Sequence, residues 1–492
     1  MIQPPRGWVG DGGRVLLASL FILMYCVIQR GPFLYGDSFA YYKIGALATK
    51  AIHPAPQQPA ILNRAKAAPA ARPAGADARR KTLLSYTEAG ARSPYYALPT
   101  YWLIRLGSVW FLVAVQALVV ASVMLLAFRK LSSERWYLPA MAVLSLSSTL
   151  PLFATFVMPD FMAAPTILAA ILAIWRWPSL SRGERIFLMG VIAYGGLVHT
   201  THKLIAAALA VSGLLLPLIT RRVVPARAGS ISVLAAVAVA AIGGMLYPIV
   251  VRAAIHERIY SPPFLTARLF ADGEARGFLE RHCKKDENSF AMCRFRHDPV
   301  RDSNLFLWRP GGVYQSADYE TRIRMSREDK KIFIGTVLEQ PWAVARQSTL
   351  NSVRMFLTFR PSQLLFNQGW MVADQTLVAH LDPNKRGCGL SEPRCMARVG
   401  PQASNVIAYA GVIAGLVAVG TMFLRRMVDR KAWTPIVASI LLALAVNAVL
   451  CGSLSSIVPR YQARLCWLIP ALALMMAGDA VQRRSVRHGR KR

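Results

Sequence analysis

Long charge-free apolar runs recur along this chain, most of them separated by short polar connections. A bilayer core of about 30 Å takes about 20 apolar residues in helical form. Ten runs fit, at roughly 14–30, 109–128, 138–156, 162–176, 186–199, 203–220, 231–251, 404–423, 434–451 and 464–480. Residues 186–220 form one apolar stretch, interrupted by HTTHK at 199–203. A single helix of that length would reach about 50 Å, so two short helices meeting at one membrane surface are expected. The first run lacks a small-residue cleavage site and reads as a retained helix. The pattern predicts an all-α polytopic membrane protein with about ten transmembrane helices.

Composition agrees with this and adds an orientation. The 492 residues are 54% hydrophobic and 17% charged, with a formal net charge of +33. Soluble domains carry about a quarter charged residues. Basic residues fall after every second run: Arg129, Lys130 and Arg135; Arg182 and Arg185; Arg221, Arg222 and Arg227; Arg425, Arg426, Arg430 and Lys431; then the tail. Lys and Arg hold short loops in the cytoplasm, so both termini, 1–13 and 481–492, are expected there. The basic residues are scattered among membrane spans without a nucleic-acid-binding motif, which argues against a nucleic-acid partner.

The core 14–251 then contains an outer loop, 31–108, and the spans 404–480 follow a second outer region, 252–403. Residues 51–80 are rich in Ala, Pro and Arg, a composition that predicts disorder. The stretch SPYYALPTYWLIRLG, 93–107, is aromatic and amphipathic and is expected on the membrane surface. The region 252–403 holds Cys283, Cys293, Cys388 and Cys395, four of the seven cysteines. Two disulfides suit an oxidising compartment, and sequence-local pairing is the simplest of three connectivities. Zinc is the alternative, although no CxxC pair occurs. Cys26, Cys451 and Cys466 fall in spans and read as packing residues. The region does not read as an independent domain. Its stretch 331–357 has helical apolar spacing, suited to the bilayer surface or to packing over the bundle.

This topology collects unusual polar residues at one membrane surface. Asp37 follows the first run within GPFLYGDSFAYYKIG. Asp160 occupies the FVMPDFMAAP turn, and His199, His202 and Lys203 occupy the HTTHK turn. His256, Glu257 and Arg258 follow the seventh run. Arg460, Tyr461 and Arg464 open the tenth. Each has an ordinary alternative: a helix cap for Asp37 or Asp160, interfacial positions for the histidines, snorkelling for the arginines. Together they put carboxylates, imidazoles and cations on one rim, where ionisable groups are costly and tend to be functional. Cations there suit a phosphate, and a carboxylate suits proton abstraction from a hydroxyl.

On these residues the chain resembles the C-fold glycosyltransferases, membrane enzymes that use polyprenyl-phosphate sugars. The likeness lies in Asp37 within YGDSFAYY early in the first outer loop, and in Asp160 within MPDF between the third and fourth spans. It covers roughly 14–250. The pattern RHCKKDENSFAMCRF…NLFLW, 281–308, looks like uncharacterised bacterial multi-pass membrane proteins. Ser38 follows Asp37 where several branches carry an acidic pair. The resemblance implies Asp37 as catalytic base, with Asp160 supporting it.

The resulting expectation is transfer of a sugar from a polyprenyl-phosphate donor to an envelope lipid or glycan acceptor. The site would face the periplasm in a bacterial inner membrane. Asp37 and Asp160 are the catalytic candidates. His199 and His202 would position the acceptor or, with Asp160, a divalent cation such as Mg or Mn. Lys203, Arg460 and Arg464 would hold the donor phosphate, and Tyr41, Tyr42 and Tyr461 would pack against sugar or lipid. The alternatives are a transporter of lipid-linked glycans, a surface-polysaccharide polymerase or ligase, and a non-enzymatic envelope protein.

Overall fold

The computed structural model describes residues 8–52, 90, 92–220, 226–255, 259–366, 381 and 398–489. Cys388, Cys395, His256, Glu257, Arg258 and the stretch 53–80 lie outside the described residues. Among the described residues, helices and turns account for the fold, with one isolated parallel bridge between Phe33 and Phe156.

The first half runs α1 (Trp8–Ile28), α2 (Gly36–Ile52), α3 (Pro94–Leu106), α4 (Val109–Leu131), α5 (Tyr137–Ser147) and α6 (Leu150–Ala154). A 3-10 turn, Pro159–Met162, leads into α7 (Ala163–Arg176), then α8 (Arg182–Val198), α9 (Thr200–Thr220) and α10 (Ala226–Ile255). An outer unit follows, with α11 (Phe264–Asp272), α12 (Glu274–Cys283), α13 (Ser303–Trp308), α14 (Tyr319–Glu339) and α15 (Pro341–Leu357). The chain returns to the bundle in α16 (Pro401–Leu424), α17 (Arg430–Leu454), α18 (Arg460–Cys466) and α19 (Leu468–Gly489).

Seven helices among the described residues are long and apolar enough to cross a membrane, three fewer than the apolar runs predict. Two of the three are the halves of the 186–220 stretch. They form separate helices that meet at His199, and α8 has 17 residues. The third run, 138–156, is broken. Ser147 and Ser148 donate back to the carbonyls of Val143 and Leu144 at 2.8 and 2.6 Å. Ser148 is extended and also accepts from the Leu150 amide, and Pro151 starts the next short helix without an N–H to give. Such back-bonding competes with the helical ladder. The 11-residue α5 rises only about 16 Å.

Helix α7 is the centre of the bundle. Every residue from Ala163 to Trp175 is buried, and the helix packs against α4, α8, α9, α10 and α17. Lipid tails are as apolar as Leu, so this arrangement is held by close packing rather than by escape from water. Alternating Ala and Ile or Leu lets neighbours approach on all sides.

Among the described residues, the basic connections after α4, α7 and α16 share one face with the N-terminus and α19. Arg129 pairs with Asp11 at 2.7 Å, and Arg14 pairs with Glu134. Lys130 donates to Ser179 O and pairs with Glu184, both at 2.8 Å. Ser132 donates to Met475 O at 2.6 Å, and Trp433 donates to Asp479 at 2.9 Å. Asp37, Asp160 and Arg460 lie at the opposite end of these helices.

The outer unit has its own small apolar core, built on Phe270, Phe278, Met292, Phe306, Met325 and Ile332, more than the sequence led us to expect. The Cys283–Cys293 disulfide is formed, with Cα atoms 5.5 Å apart. The stretch 331–357 is two helices, because Pro341 starts a new one at its N1 position.

Candidate active site

Asp37 and Asp160 are distant in sequence and are brought together by backbone pairing. Helix α1 ends in a reversal in which Arg30 and Gly31 adopt φ of 64° and 118°. The extended chain then meets the 155–157 segment: the Phe33 amide donates to Thr155 O at 3.4 Å and the Val157 amide to Phe33 O at 3.1 Å. Gln116 of α4 donates to the carbonyls of Ala154 and Phe156 and accepts from the Tyr96 hydroxyl. Ser38, next to Asp37, donates to Val157 O at 2.7 Å and accepts from the Tyr35 amide. Asp37 thereby sits in the first turn of α2, facing the turn that carries Asp160.

Both carboxylates are held by arginine. Arg92 Nη2 lies 2.5 Å from Asp37 Oδ1 and Arg460 Nη2 lies 3.4 Å from Oδ2. Burial pushes the Asp37 carboxyl up, but Arg92 and Arg460 outweigh it and hold it below the ordinary carboxylate range. The Arg460 guanidinium also lies over the Tyr35 and Tyr461 rings, at 4.6 and 5.2 Å. Four residues on, and so on the same face of α18, Arg464 Nη1 meets Asp160 Oδ1 at 3.0 Å. Arg464 also donates to Thr201 Oγ1 and Asn447 Oδ1 at 3.1 and 3.2 Å. Asp160 is 2% exposed, whereas the Asp37 side chain is 28% exposed.

The two histidines have different surroundings. His199 occupies the break between α8 and α9. Its Nδ1 accepts from the Thr201 amide at 3.3 Å, so that nitrogen is unprotonated. Burial, then Arg464, push its pKa down to about 3, and the ring is neutral at physiological pH. His202 is fully buried and donates from Nδ1 to Gly195 O at 3.1 Å. Gly195 has no room for a side chain: a Cβ there would stand 1.9 Å from Thr166 Oγ1. His202 stacks on His199, with ring centroids 4.9 Å apart.

A cavity of about 1,370 Å³ opens over these groups. Asp37, Tyr41, Asp160, His199, Lys203, Arg460, Tyr461 and Arg464 line it, together with Arg92, Trp308 and Arg309. Five cations thus face two carboxylates. Lys203 is half-buried and pairs with no anion among the described residues. Arg460 has two buried nitrogens, Nε and Nη1, without a hydrogen-bond partner. One wall is apolar and includes Leu204, Ala241, Gly244 and Met245. Leu204 and Met245 are exposed, and Ile242, Leu246 and Ile249 of α10 are exposed beside them, so this wall adjoins the apolar surface of a membrane-crossing candidate.

Not every expected residue arrives. His202 is sealed behind His199, and Tyr42 packs against Tyr101 at 5.2 Å, away from the cavity wall. Arg464 is committed to Asp160. No group of three or more His, Cys, Asp or Glu among the described residues is placed to hold a metal ion. Sequence reasoning missed Arg92, Trp308 and Arg309. Arg92 directly precedes the SPYY stretch, and its guanidinium lies 5.6 Å above the Trp308 ring. No protein-family model, curated protein or solved structure matches the chain.

Proposed function

We propose that this chain is a membrane glycosyltransferase, moving a sugar from a polyprenyl-phosphate donor to an envelope lipid or glycan acceptor at the periplasmic face. The observation that carries this reading is a single cavity with three parts. It holds one partly exposed carboxylate, cations with unused donors and an apolar wall towards lipid. The donor phosphate binds Lys203 and Arg460, whose free N–H groups suit its oxygens, and its isoprenoid tail leaves along Leu204 and Met245.

Asp37 accepts the proton of an acceptor hydroxyl. The hydroxyl oxygen bonds to the anomeric carbon, the bond from that carbon to the phosphate oxygen breaks, and polyprenyl phosphate leaves. One displacement inverts the anomeric centre. Lys203 and Arg460 stabilise the charge growing on the phosphate. Arg460 is shared between Asp37 and the phosphate site, so donor binding draws it away and leaves Asp37 Oδ2 open to the acceptor. Asp160 and Arg464 act together as the brace that positions α18.

A transporter needs polar groups along a path to the other face. Beneath this cavity stands α7, buried from Ala163 to Trp175 and apolar there except for Thr166 and the Trp175 indole N–H, which favours an enzyme. The test is reconstitution with the lipids of a strain lacking the gene, with product read by mass spectrometry. Asp37→Asn should remain folded and make no product; full transfer by that variant would sink the assignment.

A further inference from the structure

Helix α15 does not simply cover the bundle. It runs antiparallel along the end of α17, with rising numbers in one matched to falling numbers in the other. Ser348 O accepts from Ser453 at 3.4 Å, and Ser352 and Ser453 share a hydrogen bond of 3.2 Å. The Asn351 backbone abuts Gly452, where a Cβ would come within 2.9 Å of the Asn351 carbonyl. Met355 then shares an apolar cluster with Ala448 and Cys451. Helix α17 is a membrane-crossing candidate that ends at Leu454 on the cavity face. Ala448 lies six residues inside that end, about 9 Å deeper.

The chain then crosses to α16. Phe359 stacks on Tyr409 with centroids 4.1 Å apart, and the Tyr409 hydroxyl donates to Leu357 O at 3.2 Å. Helix α16 starts at Pro401, and Val399 just before it donates to Gln29 at the end of α1. Tyr409 is therefore about 12 Å below the cavity face. From there the chain climbs again, since the Ser362 amide donates to Asn405, one turn higher on α16, at 3.2 Å.

We propose that residues 341–366 form a re-entrant segment that dips into the leaflet on the cavity side, with its outward side chains among lipid acyl chains. The dip reaches about a third of a 30 Å hydrocarbon core. Irregular backbone at such depth survives only where protein covers it. Leu364 and Leu365 are buried in the main core, and Phe359 packs against it. The outward side carries an apolar patch, with Val353 52% and Leu357 62% exposed and Phe356 exposed beside them, flanked by the exposed Arg354 and Arg360. This surface continues the exposed Val449 of α17 and Val406 of α16, which is why lipid is its occupant. Trp342, 86% exposed, stands three to four turns above, towards the interfacial aromatic belt. Arg346, Arg354 and Arg360 are exposed on this segment, and a dip of this depth requires their long stems to reach back to the lipid phosphates.

The test uses the full chain in phosphatidylglycerol and phosphatidylcholine vesicles, with nitroxide labels at Val353→Cys and Leu357→Cys. Ile242→Cys on the exposed side of α10 is the acyl reference, and Glu320→Cys on α14 is the water reference. The unsubstituted chain gives the background from native cysteines. Collision with oxygen should exceed collision with a water-soluble nickel chelate at 353 and 357, to a ratio close to that at 242. A ratio like that at 320 would place the helix outside the bilayer. Protection from both colliders would assign the surface to a protein partner or second copy. Either result overturns the proposal. If one variant fails to fold, Phe356→Cys takes its place.

Discussion

Arg464 Nη1 lies 3.0 Å from Asp160 Oδ1, and both side chains are sealed from solvent. The pair joins α18 to the turn before α7, and Thr201 and Asn447 accept from Arg464 Nη2. Removing one partner of a buried pair leaves an uncompensated charge and costs about 3–5 kcal/mol. Asp160→Ala is therefore expected to lower the thermal unfolding temperature markedly in detergent. A variant as stable as the parent chain would refute the bracing role.

Asp37 has the opposite balance of roles. It is partly exposed and carries two arginines that other ligands can draw away. Loss of a positioned base costs about 10²–10⁴ in rate. Asp37→Asn should lose at least that much transfer while unfolding within a few degrees of the parent. Transfer assays and melting curves on the same preparation separate the two effects.

Lys203 is the cation best placed to test phosphate binding, because no carboxylate depends on it. A charge-assisted hydrogen bond contributes about 1.5–3 kcal/mol, or roughly 10- to 150-fold in affinity. Lys203→Gln should weaken donor binding by that order and leave stability unchanged. Titration with the lipid phosphate, followed by the change in KM, measures it.

His199 gives the acid limit of the fold. It is faced by Arg464, Asp160, Arg460 and Lys203. Its native pKa of about 3 lies below the unfolded value of about 6.5. Between these values the unfolded chain binds more protons, so stability rises with pH and is fully present above about 6.5. It is lost as pH falls from there towards 3. Asp37, with its pKa also depressed, adds a loss that begins as pH falls through the ordinary carboxylate range and continues below it. In His199→Gln, melting temperature should fall less between pH 6.5 and 4 than in the parent chain.

The Cys283–Cys293 bridge closes a short loop within the outer unit. Cross-links of this size contribute about 2–4 kcal/mol. Cys283→Ser with Cys293→Ser should make residues 264–339 cleavable by protease at temperatures where the parent resists. The membrane helices should stay intact, because their core is separate.

By itself the sequence determined the helical membrane architecture and the alternation of basic and chemically unusual ends. Both rest on signals written within about twenty residues: an apolar run matched to bilayer thickness, and positive charge in a short loop. It also pointed to Asp37, Lys203 and Arg460, since charges beside apolar runs are conspicuous. Tertiary structure decided which of these groups touch. Asp160 and Arg464 are 304 residues apart, and no local pattern commits them to each other. His202 turned inward because Gly195 O lies within its reach across the break between α8 and α9. Arg92 joined Asp37 because Phe33 pairs with the 155–157 backbone and fixes where α2 begins. The break at Ser148 and the dip at 355–359 likewise depend on neighbours that supply lost hydrogen bonds and cover. Periodicity reports how one helix meets its surroundings; pairing among buried polar groups depends on which helices become those surroundings.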